Sequence, residues 1–143
     1  METTNWIKIE FPSETVNVAF ARTAVALFAA QIDLTLDELE DIKVAVSEAV
    51  SNSVIHGYQH QRGTIIVQAS YGKNQLEIVV EDFGQGIPDI EQAKETGYTT
   101  IPEERMGLGL TFIFEYMDEV LLTSQVNEGT KIIMRKNVPN HES

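Results

Sequence analysis

The stretch GTIIVQASYGKNQLEIVVEDFG, residues 63–84, decides which fold the sequence predicts. Two apolar runs flank the tripeptide GKN at residues 72–74, and apolar runs separated by such a turn are typical of a β-hairpin. The second strand is predicted to end at Asp82. Because helical segments lie on both sides of this hairpin, we expect an α+β fold with helices packed on one antiparallel or mixed sheet.

Upstream of this hairpin, the sequence predicts one strand and two helices. NWIKIEFP, residues 5–12, alternates polar and apolar side chains and stops at a proline, which indicates a strand. Ser13 is the predicted N-cap of a first helix that runs to about Gln31. The apolar positions of this helix include Val16, Phe20, Ala24, Leu27 and Phe28.

The second helix has clear predicted boundaries. TLDE, residues 35–38, has the form of a capping box with Thr35 as N-cap and Glu38 at the third helical position. The helix is predicted to run to about His56 and to end at Gly57. Its expected core stripe comprises Leu39, Ile42, Val46, Ala49 and Val50.

Downstream of the central hairpin, residues 87–106 are polar and mixed, which predicts a loop with one short helix near residues 89–95. GLGLTFIFEYMDEV, residues 107–120, predicts a helix that begins at its glycines. VLLTSQ and TKIIMRK, residues 120–125 and 130–136, predict a final hairpin around VNEG. The 143 residues are expected to form a single domain.

The composition narrows the classes of function. Ten Lys and Arg against 22 Asp and Glu give a formal charge of −12, which disfavours direct binding to nucleic acid. The same charge suits a basic protein partner or simply solubility. Cysteine is absent, which excludes disulfides and thiolate metal sites. Because the sequence lacks a membrane-length apolar run and a secretory signal pattern, we expect a cytoplasmic protein.

The second predicted helix carries a stripe of polar side chains on one face. Glu48, Asn52 and His56 are spaced four residues apart and therefore share one helix face, which either is a solvated edge or lines a pocket. An Asn amide oxygen is a ligand suited to Mg²⁺, and a Glu one turn earlier could accept a proton from an attacking hydroxyl. A helix-end position beside Gly57 explains His56 without a function.

Three further segments carry possible ligand chemistry. DFGQG, residues 82–86, places a carboxylate at a strand end before glycines that admit a flat ring, or forms only a turn. GLG, residues 107–109, could expose backbone N–H groups to phosphates, or serve helix packing alone. EGT, residues 128–130, offers the Thr130 hydroxyl, although a Thr opening a strand needs no functional reason.

Taken in order, these segments resemble the GHKL ATPase superfamily, which includes histidine-kinase catalytic domains, gyrase, Hsp90 and MutL. The P-loop pattern is absent. DELEDIKVAVSEAVSNSVIHGY, residues 37–58, and MDEV, residues 117–120, are similar to the small bacterial anti-sigma factors that are serine kinases. The resemblance covers nearly the whole chain. It implies an α/β sandwich with helices on one face of a mixed, mainly antiparallel sheet.

The resemblance also implies roles for individual residues. Glu48 would be the catalytic base, and Arg105 would approach the γ-phosphate from a lid. Asn52 would bind Mg²⁺, and Asp82 would bind the adenine amino group of ATP or ADP. The other implied nucleotide contacts are Gly84, Gly86, Thr99, Thr100, Gly107, Leu108, Gly109, Leu110 and Thr130. Arg22 matches an arginine that contacts partners, or is an exposed side chain beside the core.

The activity that the resemblance implies is ATP-dependent inhibition of a sigma factor, together with phosphorylation of a serine in an anti-anti-sigma protein. The sporulation type, directed at sigma F, is the most similar, and the stress-response type, directed at sigma B, is a near alternative. A homodimer is implied as well. Two other interpretations stay open: a nucleotide-gated binding protein without kinase activity, and a sensor histidine-kinase domain, which would need a phospho-acceptor helix upstream.

Overall fold

The computed structural model describes residues 4–58, 61–86 and 104–138, although for residues 104–109 it describes the backbone only. The described elements, in chain order, are β1 (Asn5–Pro12), α1 (Val16–Ala29), α2 (Leu36–Asn52), a π-helical turn (Ser53–Gly57), β2 (Thr64–Gly72), β3 (Gln75–Asp82), α3 (Glu104–Tyr116), β4 (Glu119–Gln125) and β5 (Gly129–Asn137).

The strands form one sheet in the order β1-β2-β3-β5-β4, and all its pairings are antiparallel. The two predicted hairpins are confirmed. Lys73 and Asn74 form the first turn with φ angles of 51° and 62°, the left-handed pair that suits a tight hairpin between twisted strands. Asp82 is the last residue of β3, as predicted, and lies opposite Thr130 of β5.

The core lies between the helices and one face of the sheet. Alternate residues of β2 and β3 are buried, whereas the residues between them are half-buried or exposed, which is the pattern of a sheet covered on one side. Fully burying side chains such as Ile65 and Ile78 stabilises the fold by about 1.5–3 kcal/mol each. The predicted α+β class is therefore confirmed, with the sheet in its antiparallel form.

Helix α2 begins as its sequence predicts. The Glu38 backbone N–H donates to Thr35 Oγ1 at 3.1 Å, and the Thr35 N–H donates to Glu38 Oε1 at 2.8 Å, which completes the capping box. The predicted core residues Ile42, Val46, Ala49 and Val50 are buried, and Leu39 is half-buried. The helical path ends at Gly57, but its last turn is π-helical.

The predicted cap of α1 is wrong. The helix begins at Val16 after Thr15, and Ser13 lies too far upstream to cap it. Instead, the Ser13 hydroxyl donates to the Gln61 carbonyl at 3.0 Å and accepts the Gly63 N–H at 2.9 Å. Ser13 therefore joins the end of β1 to the segment that leads into β2.

Three of the five apolar positions identified in α1 are exposed. Val16, Phe20 and Leu27 are 79%, 57% and 67% exposed. The buried side chains are Ala21, Val25, Phe28 and Ala29, so that only Phe28 belongs to both sets. Helix α1 is apolar on more than one face, and its small residues allow it to approach the sheet and α2 closely.

Helix α3 begins at Glu104, three residues before the glycines that were predicted to open it. Gly107 and Gly109 therefore lie inside the first two turns. Leu110, Ile113 and Met117 bury one face against the core. The predicted loop and its short helix near residues 89–95 lie outside the described residues, apart from the overlap at 104–106. No described helix has both the length and the apolar character needed to cross a membrane.

Candidate functional site

A small cleft, with a cavity volume of about 20 Å³, lies where the π-helical turn meets the ends of β3 and β5 and the side of α3. It is lined by Asn52, Ser53, His56, Gly57, Asp82, Gly86, Leu110, Thr130 and Ile132. Five of the residues predicted to bind a cofactor are thereby brought together from four separate segments: Asn52, Asp82, Gly86, Leu110 and Thr130. The interpretation of the polar helix stripe as pocket-lining holds for Asn52 and His56.

Asp82 is the most buried acidic group of this cleft, with 3% of its surface exposed. Its carboxylate accepts the Ser53 hydroxyl at 2.8 Å and the Gly84 N–H at 3.0 Å. The Thr130 backbone N–H is a third donor close to the carboxylate, whose pKa it lowers. Because an ionised carboxylate has about four lone-pair sites, these three donors leave room for one more, such as an amino group of a ligand.

Burial raises the pKa of Asp82 above its ordinary value of 3.8. The hydrogen bonds from Gly84, Ser53 and Thr130 lower the pKa in part, and the nearby Glu81 charge raises it. Burial is the largest of these effects. Any further hydrogen-bond donor that reaches this buried carboxylate stabilises its charge, because the donor replaces water that burial has removed.

The glycines of DFGQG bring three backbone segments together. A Cβ at Gly84 would overlap the Gly57 carbonyl oxygen, which accepts the Gln85 N–H at 2.8 Å. Gly86 has a φ of 77°, and a Cβ there would overlap the Gln125 carbonyl. The turn after β3 is thus packed against the π-helical turn on one side and β4 on the other.

Gly57 also keeps the cleft open beside Asp82. A Cβ at this position would lie 2.9 Å from Asp82 Oδ2, closer than such atoms approach in proteins, and 3.1 Å from Oδ1, which is tighter than most such contacts. Sequence reasoning treated Gly57 only as the residue that ends a helix. The structure adds that the missing side chain leaves space at the carboxylate.

Asn52 is 7% exposed and lines the cleft at the end of α2. Its amide Nδ2 has no hydrogen-bond partner among the described residues. An unpaired buried amide costs about 1–3 kcal/mol, so this group is suited to meeting a ligand. An Asn amide oxygen is also an ordinary Mg²⁺ ligand, and Asn52 therefore fits a metal bound together with phosphate groups.

Glu48 does not line this cleft. It is half-buried and lies in a neighbouring groove between α1 and α2, together with Arg22, Glu40, Lys43, Val44 and Ser47. Arg22 is half-buried as well, and its Nη1 donates to Ser47 Oγ at 3.5 Å. The predicted catalytic residue and the predicted partner-binding residue therefore share one groove, one helical turn away from Asn52.

Several predicted contacts stay predictions. Thr99 and Thr100 lie outside the described residues, and the side chains of Arg105 and Leu108 are not described. Gly107 and Gly109 lie in the first two turns of α3, with Leu110 immediately after them in the cleft wall. Gly84 belongs to the turn that carries Asp82 and bonds to its carboxylate.

Besides the space beside Gly57, sequence reasoning missed two further residues of the site. Ser53 holds Asp82, and its signal was a hydroxyl placed directly after Asn52 in an apolar stretch. Ser124 shares a hydrogen bond of 2.9 Å with Thr130 Oγ1 and donates to the Gly129 carbonyl at 3.1 Å. Ser124 lies opposite Thr130 across β4 and β5, and this pairing becomes visible only once the strand register is known.

Comparison with known proteins agrees with this geometry. Residues 11–136 match the family model of the histidine kinase-like ATPase domain. A crystal structure of the RsbU and RsbW domains of a Mycobacterium tuberculosis protein has the same fold, with a TM-score of 0.61 and 20% identity. That match covers 98% of this chain and 35% of the mycobacterial chain.

Closer relatives narrow the assignment. An anti-sigma F factor of Clostridium kluyveri is 48% identical over 133 residues, which cover 92% of this chain and 94% of the relative. Anti-sigma F factors of Clostridium perfringens and a Thermoanaerobacter species are each 46% identical, over 94% and 96% of this chain and 97% of each relative. The chain therefore belongs to the histidine kinase-like ATPase family and, within it, to the anti-sigma F factors.

Proposed function

We propose that this protein is an ATP-dependent anti-sigma factor that holds a sigma factor of the sigma F type inactive and phosphorylates a serine of its anti-anti-sigma protein. The names of its relatives support the sigma-factor partner. The observation that carries the nucleotide part is the cleft itself, where buried Asp82 retains room for one donor and buried Asn52 has an unpartnered amide.

Asp82 would select adenine. The exocyclic amino group of adenine is a donor, and the carboxylate supplies the acceptor for it. The chain holds that carboxylate in place through Ser53 and Gly84, and Gly57 leaves room beside it. Thr130, whose hydroxyl is held by Ser124, would line the other side of the base.

Asn52 would hold Mg²⁺ through its amide oxygen. A Mg²⁺ ion held there with the nucleotide would supply positive charge to offset the negative charge of the phosphates. The free backbone N–H groups of α3 lie in its first turn and would face the phosphates, and Gly107 and Gly109, which have no side chain, would let the phosphates approach. The resemblance implies that Arg105 would add a further positive charge beside the phosphates.

Glu48 would accept the proton of the attacking serine hydroxyl. Its groove opens between α1 and α2 and also contains Arg22 and Lys43, so a partner bound there could bring a serine towards Glu48. Arg22 would contact that partner. A homodimer, as the resemblance implies, is part of the proposal, and sedimentation of the purified protein tests it.

A second candidate is a nucleotide-gated anti-sigma factor without kinase activity. The position of Glu48 favours it, because this side chain lines the groove rather than the cleft. In this version ATP binding alone would control capture of the sigma factor.

The test is a transfer assay with γ-labelled ATP and an anti-anti-sigma protein, run on the parent and on Glu48→Gln. Gln keeps the size of the side chain but cannot accept the proton, so we expect transfer to fall by about 10²–10⁴-fold while ADP binding is unchanged. Glu40→Gln is the matched control, since Glu40 lines the same groove and is not assigned a proton.

The outcomes separate the two candidates. Parental transfer rates in Glu48→Gln would exclude Glu48 as the base. If the parent transfers no phosphate yet captures the sigma factor with ATP and not with ADP, the nucleotide-gated binder is correct. If capture does not depend on the nucleotide, both versions fail.

A further inference from the structure

The hydroxyl of Tyr58 bridges two strands beside the cleft. It donates to the Thr64 carbonyl at 2.6 Å and accepts the Phe83 N–H at 2.7 Å. Thr64 is the first residue of β2, and Phe83 directly follows Asp82, the last residue of β3. One side chain therefore satisfies one backbone group on each of two neighbouring strands.

The register of β2 and β3 indicates that this bridge takes the place of a direct backbone hydrogen bond. Ile65 lies opposite Asp82, so that in a continued antiparallel ladder Thr64 would lie opposite Phe83 and the two could bond directly. The phenol oxygen instead lies between them, and the two strands separate at this point. The separation lets the chain leave the sheet after Asp82 and turn towards Gly57.

Tyr58 is itself fixed from two sides. Its backbone N–H donates to the Ser53 carbonyl at 3.1 Å, which closes the π-helical turn. Its ring covers Gly63, where any Cβ would overlap the ring atoms. Burial raises the pKa of the Tyr58 hydroxyl, which therefore stays protonated and able to donate at neutral pH.

We propose that Tyr58 is a positioning residue for nucleotide recognition, because it holds the β2 and β3 ends apart at the width that aims the Asp82 carboxylate into the cleft. The inference rests on the proposed role of Asp82 in binding adenine. It adds a residue that touches no ligand and that acts through the backbone of Phe83. It also links the segment after α2 to the turn that carries the carboxylate.

The substitution Tyr58→Phe removes only the hydroxyl and keeps the ring over Gly63. The bridge lies near the surface, so water can replace it, but a water is not tethered to the π-helical turn. We therefore expect a small change in stability together with a displaced Asp82. Affinity for ADP should fall about three- to tenfold, the equivalent of one net hydrogen bond.

The experiment compares ADP with inosine diphosphate, which carries a keto oxygen in place of the amino group of adenine. Calorimetry gives both affinities for the parent, for Tyr58→Phe and for Tyr71→Phe, and hydrogen exchange reports the Phe83 amide without nucleotide. Tyr71 is the control because it lies at the far end of β2, opposite Leu76, and loses the same group. A purely structural defect would weaken both nucleotides alike.

We expect Tyr58→Phe to reduce the preference for ADP over inosine diphosphate about three- to tenfold and to speed exchange at Phe83, with Tyr71→Phe unchanged. A parental preference in Tyr58→Phe would overturn the inference while leaving the role of Asp82 intact. A parent that shows no preference between the nucleotides would instead refute the role of Asp82, and the role of Tyr58 with it.

Discussion

Replacing Asp82 by Asn is the most direct perturbation of the proposed site, since it keeps the shape of the side chain and removes its charge. The Gly84 N–H can donate only to the amide oxygen, which fixes how the amide is turned. The Ser53 hydroxyl can rotate to accept from the amide nitrogen. The hydrogen bonds to Gly84 and Ser53 can therefore be kept, and the variant should fold.

The magnitude follows from the bond that would be lost. A hydrogen bond to a charged group contributes about 1.5–3 kcal/mol, and each 1.4 kcal/mol is a factor of ten in affinity. In the variant, the amide nitrogen would face the amino group of adenine, so that two hydrogen-bond donors would oppose each other. We expect the Kd for ADP to rise about ten- to a hundredfold, and the Kd for inosine diphosphate to change much less.

The assay is calorimetry on folded protein, with Glu81→Gln as the control. Glu81 precedes Asp82 on β3 and points to the opposite face of the sheet, so its variant loses the same charge outside the cleft. Unchanged ADP affinity in a folded Asp82→Asn protein would refute the adenine assignment. An equal loss in Glu81→Gln would show that the effect is long-range electrostatics rather than a contact.

Three further predictions concern the same cleft. Because burial raises the pKa of Asp82 in the folded state, the unfolded chain binds fewer protons than the folded protein between pH 3.8 and that higher pKa. The parent should therefore lose stability relative to Asp82→Asn as the pH rises through this window. Urea unfolding at a series of pH values measures the difference, and a relative gain would contradict the prediction. Asn52→Ala should leave the ligand-free protein as stable or more stable, since it removes an unpartnered amide, yet titrations with Mg²⁺ and with EDTA should show a reduced metal dependence of ADP binding; equal metal dependence would remove Asn52 from the metal site. Gly57→Ala should weaken ADP binding and lower the unfolding free energy by about 1–3 kcal/mol, because its methyl group would meet the Asp82 carboxylate; parental Kd and stability would show that this space is not needed.

Local signals in the sequence were sufficient for most of the fold. The capping box at Thr35, the turn at Lys73 and Asn74 and the end of β3 at Asp82 were all predictable, because each depends on residues close together in the chain. The same holds for the spacing of Asn52 and His56, which share a helix face whatever the rest of the chain does.

The errors arose where tertiary packing decides between local alternatives. Helix α1 offers two apolar faces, and close packing buries the one with smaller side chains, Ala21 and Val25, rather than Phe20 and Leu27. Ser13 is a good cap by type, but its hydroxyl is used by the segment at residues 61–63, which is distant in sequence. A local pattern cannot reveal such a competing partner.

The site shows the same division. Asp82, Thr130 and Gly86 were found from short motifs, whereas Ser53 and Gly57 were missed as ligand-site residues because their roles depend on how the π-helical turn meets β3. The placement of Glu48 in a separate groove also follows from helix packing. The strip of residues on one helix face spans two sites, and spacing alone cannot divide it.

The geometry of this site depends on the number of residues in the π-helical turn. Its closing bond, from Tyr58 N–H to Ser53 carbonyl, spans one residue more than an α-helical bond, so the turn contains one extra residue. Each residue of a helix advances its phase by about 100°. Deleting Val54 or Ile55 would restore α-helical spacing and rotate Gly57 and Tyr58 away from β3, although no residue that lines the cleft would be lost.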